Sequence, residues 1–254
     1  MLGAIAGDII GSVYEFNNHR NTDFELFIPD SHFTDDTVLT VAVADALIHK
    51  KDYGSVFREY GLRYPDAGYG GRFYHWLRDP TMGPYNSMGN GSAMRVSPVG
   101  FYCDTVDEVL KEAKCSAEVT HNHPEGIKAA QATALAIYIG RTGGDKKDIR
   151  TELERRFGYS FDRSIAFLQE HYKYSELAQD TIPPAMAAFL EATDLIDCIR
   201  KAVSVGGDSD TIACIAGGIA EGYYGGVPDS IIRSVRERLD DHLLVVVDEF
   251  LASL

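Results

Sequence analysis

The stretch that decides the fold runs from Thr34 to Lys50 and reads TDDTVLTVAVADALIHK. It opens with a hydroxyl residue and two acids, which are the residue types preferred at the N-terminus of a helix. Apolar residues then recur at spacings of three to four, at Val38, Val41, Ala42, Ala46 and Leu47. This spacing is typical of one buried face of a helix. The stretch therefore predicts a helix that Thr34 caps and that packs into a core.

Helical signals recur along most of the chain. Thr105 and Glu108 match a capping box, and Pro124 suits the first turn of a helix that continues through Ile139. Further helices are predicted near 145–156, 162–171, 183–192, 194–204, 211–222 and 229–252. The β-branched run 243–247 is included because it continues an amphipathic pattern. Residues 61–104 are rich in Gly, Pro, Tyr and Asn, which predicts loops with short helices, and 24–28 is a weak candidate strand. We expect one all-α domain of packed helices over residues 1–254.

Length, composition and net charge argue against several classes of protein. The chain has 254 residues, 45% of them hydrophobic, which is enough to build a core and argues against intrinsic disorder. It carries 24 Lys+Arg against 38 Asp+Glu, a net charge of −14, which disfavours a nucleic-acid-binding surface. A small anionic substrate remains possible, because metal ions can invert the local sign of an acidic cluster.

Cysteine usage and the N-terminus bear on the compartment. Four cysteines without a Cys-x-x-Cys pair favour a reducing environment. The first residues lack a basic region and carry an acid at Asp8, which argues against a signal peptide. No run of about 18 uncharged apolar residues indicates a membrane span. The sequence therefore predicts a cytoplasmic protein without a membrane partner.

Two helix starts are unusually acidic. One is FTDDT at 33–37 and the other is GGDSDT at 206–211, and each places two carboxylates and a hydroxyl in one turn. Helix capping alone explains either segment. Two such segments in one chain favour a divalent cation, because crowded carboxylates repel one another. The ligands are all hard oxygens, which favours Mg²⁺, Mn²⁺ or Ca²⁺ over zinc. Spacing along the sequence does not show whether the two segments meet.

Five stretches in order carry a resemblance to a known family. They are GAIAGDIIGSVYE at 3–15, FTDDT at 33–37, GNGSAMR at 89–95, THNHP at 120–124 and GGDSDT at 206–211. On these stretches the chain resembles the ADP-ribosylglycohydrolase family, which includes the dinitrogenase-reductase-activating glycohydrolase and the ADP-ribosyl-acceptor hydrolases. The resemblance covers nearly the whole chain. It implies a compact orthogonal helical bundle with a dinuclear metal site at helix N-termini, normally two Mg²⁺ or Mn²⁺ ions.

The resemblance also implies roles for particular residues. The implied metal ligands are Thr34, Asp35, Asp36, Asp208, Asp210 and Thr211. The implied substrate-binding residues are Gly70, Ser87, Gly89, Asn90, Gly91 and His121, with the Gly89–Gly91 loop as the diphosphate cradle. The implied catalytic residues are Glu15, Asp35 and Asp210. Glu15 would either position or deprotonate the attacking water, or steady the ribose hydroxyls. Asp8 receives no role.

The implied activity is hydrolysis of the C1″ glycosidic bond of ADP-ribosylated protein side chains or small ADP-ribose conjugates, with release of ADP-ribose. Direct attack by water is expected, because no Cys–His pair or Gly-x-Ser-x-Gly motif supplies a covalent nucleophile. The alternatives are a non-catalytic ADP-ribose-binding or structural, crystallin-like member, and a two-metal phosphohydrolase that would yield AMP. The acceptor, whether arginine, serine or another group, stays open.

Overall fold

The fold is built from fifteen helices and no strand, which confirms the all-α expectation. The computed structural model describes residues 1–254. The helices are α1 Leu2–Gly11, α2 Asp35–His49, α3 Tyr53–Arg63, α4 Gly71–Arg78, α5 Gly91–Met94, α6 Ser97–Tyr102, α7 Val106–Glu118, α8 Pro124–Arg141, α9 Lys146–Phe157, α10 Ile165–His171, α11 Ala178–Glu191, α12 Leu195–Ser204, α13 Ser209–Tyr224, α14 Asp229–Arg236 and α15 Asp241–Ala252. Residues 24–28 form bends, so the strand prediction there is wrong. None of the helices combines the length and apolar character needed to cross a membrane.

The centre of the fold is the close pair α1 and α13, around which α8, α11 and α12 pack against α13. Glycines on α1 let the two backbones touch: a Cβ atom on Gly7 would lie 2.0 Å from the Ala213 carbonyl oxygen. A Cβ on Gly11 would lie 2.4 Å from the Cα of Asp210. Distances below 3 Å are steric overlap, so these positions admit only glycine. This contact places the end of α1 against the acidic start of α13.

Helix α2 begins where the sequence predicts. Thr34 has an extended backbone, and its Oγ1 accepts a hydrogen bond from the Asp36 N–H at 3.3 Å. Lys50 ends the helix in the left-handed region with φ of 53°. The residues from Asp36 to Leu47 are buried on every face, which is more than the single buried face expected. The reason is that α1, α3, α6 and α15 all pack against this helix.

Several predicted boundaries shift. The predicted helix at 229–252 is two helices, because the chain turns after Arg236 and Asp240 caps α15 by accepting from the Leu243 N–H. The run 243–247 is helical as predicted. Helix α11 begins at Ala178, so Pro183 and Pro184 lie inside it rather than at its start.

The capping box predicted for α7 forms only in part. Thr105 Oγ1 accepts from the Glu108 N–H as a cap should. The Glu108 carboxylate, however, accepts from the N–H of Asp104 instead of that of Thr105. The reciprocal bond is thus shifted by one residue, and the N-terminus of α7 is still satisfied.

Candidate active site

Two groups of three carboxylates lie where α1 ends and where α2 and α13 begin. One group is Asp8, Asp36 and Asp210, the other is Glu15, Asp208 and Asp210, and within each group one oxygen per residue lies within 4.8 Å of the others. Asp210 belongs to both groups. The structure therefore brings together the two acidic helix starts that are about 170 positions apart in the sequence.

Asp8, to which the sequence assigned no role, anchors the start of α2. Its Oδ1 accepts from the Thr34 hydroxyl at 2.6 Å. Its Oδ2 accepts from the Thr34 N–H at 2.9 Å, the Thr37 N–H at 3.1 Å and the Thr37 hydroxyl at 2.5 Å. Four hydrogen bonds occupy most of the acceptor capacity of one carboxylate. Asp8 is therefore a positioning residue for α2. Its sequence signal was an acid inside an otherwise apolar helix.

The start of α13 is shaped by two glycines in the left-handed region. Gly206 has φ of 72° and Gly207 has φ of 74°, and a Cβ on Gly207 would lie 2.6 Å from the Tyr172 ring. This turn delivers Asp208 to the site, where its Oδ2 accepts from Asn90 Nδ2 at 2.7 Å. Asn90 is buried and also donates to Thr181 Oγ1. Its side chain thus links the glycine-rich loop to the carboxylates.

Crowding and burial raise the pKa of every carboxylate in the two groups. For Asp36 and Asp210 the pKa lies well above its ordinary value, first because of burial and then because of the neighbouring acids. Burial also raises the pKa of Asp8 and Asp208. For Glu15, burial and the nearby Asp208 raise the pKa to about 7. Such a cluster is costly in the absence of a compensating positive charge.

The ligand chemistry fits divalent cations. Asp36 Oδ1 is buried and has no hydrogen-bond partner, while Asp36 Oδ2 accepts from the Thr211 hydroxyl at 3.2 Å. An orphaned carboxylate oxygen among other buried oxygens is an acceptor that a cation would satisfy. No His or Cys belongs to either group. Hard oxygen ligands of this kind favour Mg²⁺, Mn²⁺ or Ca²⁺.

Asp35 differs from the other predicted ligands. It belongs to neither group of three, although it lines the same cavity and its N–H donates to the Ala67 carbonyl at 2.7 Å. Burial, followed by the charges of Asp8 and Asp208, raises its pKa well above the ordinary value. Its carboxylate is thus part of the same electrostatic cluster, and its assignment as a metal ligand stays a prediction.

A cavity of about 640 Å³ opens from this cluster. Its wall includes all six residues predicted to bind substrate, namely Gly70, Ser87, Gly89, Asn90, Gly91 and His121. It also includes the predicted metal ligands Thr34, Asp35, Asp36, Asp208, Asp210 and Thr211. A volume of this size is typical of a small-molecule site. The residues that the sequence proposed in separate motifs therefore face one space.

Two backbone N–H groups of the glycine-rich loop already donate hydrogen bonds within the protein. The Gly89 N–H donates to Ser87 Oγ at 3.1 Å, and the Asn90 N–H donates to the Glu176 carbonyl at 2.8 Å. Gly91 faces His121, since a Cβ on Gly91 would lie 3.1 Å from His121 Nε2. The absence of a side chain at Gly91 thus leaves this ring nitrogen next to bare backbone.

His121 is a buried side chain of the cavity wall. Its Nδ1 lies 2.7 Å from Thr120 Oγ1, which also accepts a hydrogen bond from Arg95 Nη2 at 3.0 Å. Burial, with the charges of Arg95 and Arg72, lowers the pKa of His121 well below its usual value. With Nδ1 engaged by Thr120, Nε2 is the atom turned toward Gly91 and the cavity. This arrangement suits hydrogen bonding to a ligand more than proton transfer.

Sequence reasoning missed several wall residues. They include Arg72, Tyr85, Arg95, Tyr174 and Glu176. The Tyr174 hydroxyl lies 3.1 Å from Glu15 Oε1 and 3.1 Å from Glu176 Oε1, so it donates to one carboxylate at a time. Arg95 stood inside the quoted GNGSAMR motif. The others carry no motif, because isolated aromatic or charged residues in loops are common in any protein.

Comparison with known proteins points to one family over the full length. The family described as ADP-ribosylglycohydrolase matches residues 1–254. The chain is 27% identical to "ADP-ribosyl-[dinitrogen reductase] glycohydrolase" of Rhodospirillum rubrum, over 99% of this chain and 94% of that protein. It is 26% identical to "ADP-ribosylhydrolase ARH3" of Mus musculus, over 91% of this chain and 84% of the relative.

A further relative and a solved structure agree. "ADP-ribosylarginine hydrolase Tri1" of Pseudomonas putida (strain GB-1) is 25% identical over 92% of this chain and 72% of its own length. A structure described as "ADP-ribosylglycohydrolase-related protein complex" superposes with a TM-score of 0.74 at 24% identity, covering 100% of this chain and 97% of the other. The likeness to that structure concerns the helical fold.

Proposed function

The chain belongs to the ADP-ribosylglycohydrolase family, and from that premise we propose that it hydrolyses the C1″ glycosidic bond of ADP-ribosylated protein side chains or small ADP-ribose conjugates. The products are ADP-ribose and the free acceptor. One of its relatives is named an ADP-ribosylarginine hydrolase, and another is named an ADP-ribosyl-[dinitrogen reductase] glycohydrolase. The proposal for this chain depends on its own site.

One observation carries the proposal. Two triads of carboxylates share Asp210, and all of their members except Asp8 line the same cavity as His121 and the glycine-rich loop. A conjugate of ADP-ribose needs a pocket that takes an anionic diphosphate and a ribose with free hydroxyls. Oxygen-rich acids beside a polar cavity with neutral donors supply such a pocket. A purely structural family member would have no need to keep these five carboxylates together.

We assign the cation-binding role to six residues. Thr34, Asp35, Asp36, Asp208, Asp210 and Thr211 would hold two divalent cations, Mg²⁺ or Mn²⁺. The Thr34 hydroxyl donates a hydrogen bond to Asp8 and accepts one from the Asp36 N–H, which leaves one oxygen lone pair for a cation. When bound, such ions orient sugar hydroxyls and stabilise negative charge that develops during hydrolysis. Glu15, Asp35 and Asp210 are the proposed catalytic residues.

Glu15 is the proposed general base. The Tyr174 hydroxyl contacts its Oε1, and the residue lines the cavity. With its pKa raised to about 7, the carboxylate is basic enough to take a proton from water near neutral pH. Water then attacks C1″ as the glycosidic bond breaks and the anomeric carbon gains oxocarbenium character. The proton of the water passes to Glu15, and the acceptor leaves with the bonding electrons. Glu15 then gives up this proton to solvent and the acceptor takes up one, which restores the carboxylate and yields the free acceptor.

Substrate binding is assigned to other residues of the cavity wall. His121 offers Nε2 beside Gly91, and Ser87 keeps its hydroxyl proton because its oxygen accepts from Gly89. Gly70 lines the cavity, and no atom lies within 4 Å of the position that a Cβ would take, so it leaves room for the ligand. These donors suit the diphosphate and the ribose, with the Gly89–Gly91 loop against the phosphates.

The test measures release of ADP-ribose from arginine-, serine- and O-acetyl-linked conjugates in the presence of Mg²⁺ or Mn²⁺. Asp210→Asn and Asp35→Asn should abolish release while the helix content persists. Asp241→Asn is the matched control, because Asp241 is also an acid in a first helical turn but lies exposed at α15. Binding of ADP-ribose without turnover of any conjugate would refute the hydrolase. Formation of AMP would instead indicate attack on the diphosphate.

A further inference from the structure

Two arginines stand in the wall of a cavity that is otherwise rich in acids. Arg72 lies in the first turn of α4, and Arg95 follows α5. Both are close enough to His121 for their charges to lower its pKa. The cationic part of the wall is therefore the part around His121, Tyr85 and the glycine-rich loop.

Arg72 is held in place yet keeps most of its donors. Its Nη2 donates to the Tyr85 carbonyl at 2.6 Å, and its guanidinium lies 5.0 Å from the centroid of the Tyr85 ring. The Tyr85 ring in turn lies 6.2 Å from the His121 ring. A guanidinium has five N–H donors, and one is used here. Arg72 forms no ion pair with a carboxylate, so its charge and its remaining donors are available to a ligand.

Arg95 provides a second, buried positive charge. Its Nη2 donates to the Ser116 carbonyl and to Thr120 Oγ1, and the guanidinium stacks on Phe57 at 4.4 Å. Its Nε and Nη1 have no hydrogen-bond partner, although the side chain is fully buried. A buried cation without an acidic partner is unfavourable unless an anion compensates it. An anion in the adjoining cavity would do so.

We infer that Arg72 is a phosphate ligand, which binds the diphosphate of the ADP-ribosyl group beside His121. The buried Arg95 adds positive potential to the same part of the cavity. The inference rests on the proposed function and names the side chain that selects the anionic part of the substrate. The planar guanidinium matches phosphate oxygens in pairs, which a lysine would not reproduce. The diphosphate then lies at the cationic wall while the ribose next to the acceptor faces the carboxylates.

A purely architectural role for Arg72 is the competing explanation, because its hydrogen bond to Tyr85 also ties α4 to the loop before Ser87. The two roles differ in their dependence on phosphate. A phosphate ligand matters for ADP-ribose and AMP but not for adenosine. An architectural residue shapes the pocket and matters for all three.

The experiment compares Arg72→Gln with Arg78→Gln by calorimetric titration of ADP-ribose, AMP and adenosine in excess Mg²⁺. Arg78 is a matched control, since it lies on the same helix, is exposed and stacks on Tyr74 at 3.4 Å, outside the cavity. We expect Arg72→Gln to weaken ADP-ribose binding by about 10- to 100-fold, the range for loss of a charge-assisted hydrogen bond. Adenosine binding should match the wild type, and Arg78→Gln should change nothing.

Two results would overturn the inference. One is ADP-ribose binding to Arg72→Gln within about twofold of the wild type, since a charge-assisted contact exceeds that difference. The other is an equal loss of adenosine binding, which would indicate an architectural role. Failure of the proposed function has a separate signature, namely wild-type protein that binds ADP-ribose through Arg72 yet releases none from any conjugate.

Discussion

The hydroxyl of Thr211 donates a hydrogen bond to Asp36 Oδ2 across 3.2 Å, and so joins the first turn of α13 to the first turn of α2. The two residues are 175 positions apart. Because the N-terminus of a helix carries partial positive charge, two helix starts that meet in this way partly offset the crowded acids. They do not offset them fully, since Asp36 Oδ1 remains without a partner.

Replacing Asp8 should destabilise the start of α2. Asp8 accepts four hydrogen bonds from Thr34 and Thr37, and an asparagine at this position has one acceptor oxygen and presents an N–H₂ group to donors. Asp8→Asn should lower the free energy of unfolding by about 1–3 kcal/mol, the cost of unsatisfied buried donors. Urea unfolding at saturating Mg²⁺ measures the change. Asp241→Asn, an exposed acid, should change it by less than about 0.5 kcal/mol.

Metal-free protein should lose stability as the pH rises. The folded state raises the pKa of Glu15 to about 7, and those of Asp35, Asp36 and Asp210 well above their ordinary values. Between the unfolded and folded pKa values the folded state binds more protons, so the free energy of unfolding decreases with pH. In EDTA, the melting temperature should be higher near about pH 5 than near about pH 8.

Divalent cations should reverse that trend. A cation binds the deprotonated carboxylates of the folded state, so stabilisation by Mg²⁺ grows as protons leave. At a Mg²⁺ concentration about 100 times its Kd, the gain is about 2.7 kcal/mol. Thermal melts with and without Mg²⁺ at several pH values measure it. A Mg²⁺ effect that is equal at every pH, or absent in the wild type, contradicts a carboxylate-bound cation.

Glycine at position 7 should be indispensable for the fold. A Cβ there would lie 2.0 Å from the Ala213 carbonyl oxygen, so Gly7→Ala must separate α1 from α13 and displace Asp8 from α2. We expect loss of cooperative unfolding or a destabilisation above about 3 kcal/mol. The control is Gly83→Ala, where no atom lies within 4 Å of the added methyl group. Circular dichroism melts of both variants measure whether unfolding stays cooperative and how far the stability falls.

Local signals in the sequence predicted the all-α class and the start of α2. Thr34 caps α2 as its hydroxyl and the following acids predicted, and the run 243–247 is helical because its amphipathic period outweighs β-branching. Both acidic turns lie in the cavity wall. These features depend on residues that are near one another along the chain.

The sequence did not predict the features that depend on tertiary contact. Asp8 acts on Thr37 from another helix, and the absence of hydrogen-bond partners at Arg95 Nε and Nη1 is a property of the folded core. The break between α14 and α15 has a local cause, the cap at Asp240, but it interrupts one continuous apolar pattern. Neither a cap nor a partner across the fold changes the periodicity from which helices are predicted.

Removing the Tyr174 hydroxyl should move the pH dependence of the reaction. Tyr174 donates to Glu15, and this hydrogen bond stabilises the carboxylate and lowers its pKa, whereas burial raises it to about 7. If Glu15 is the general base, release of ADP-ribose falls as the pH drops through that pKa. Tyr174→Phe should therefore shift the acid limb of the pH–kcat/KM profile to higher pH while the maximal rate stays within about threefold of the wild type. Glu15→Gln, which has no titratable group, should lower kcat by about 100- to 10,000-fold and remove that limb altogether. An acid limb that Glu15→Gln retains would assign the ionisation to another residue and exclude Glu15 as the base.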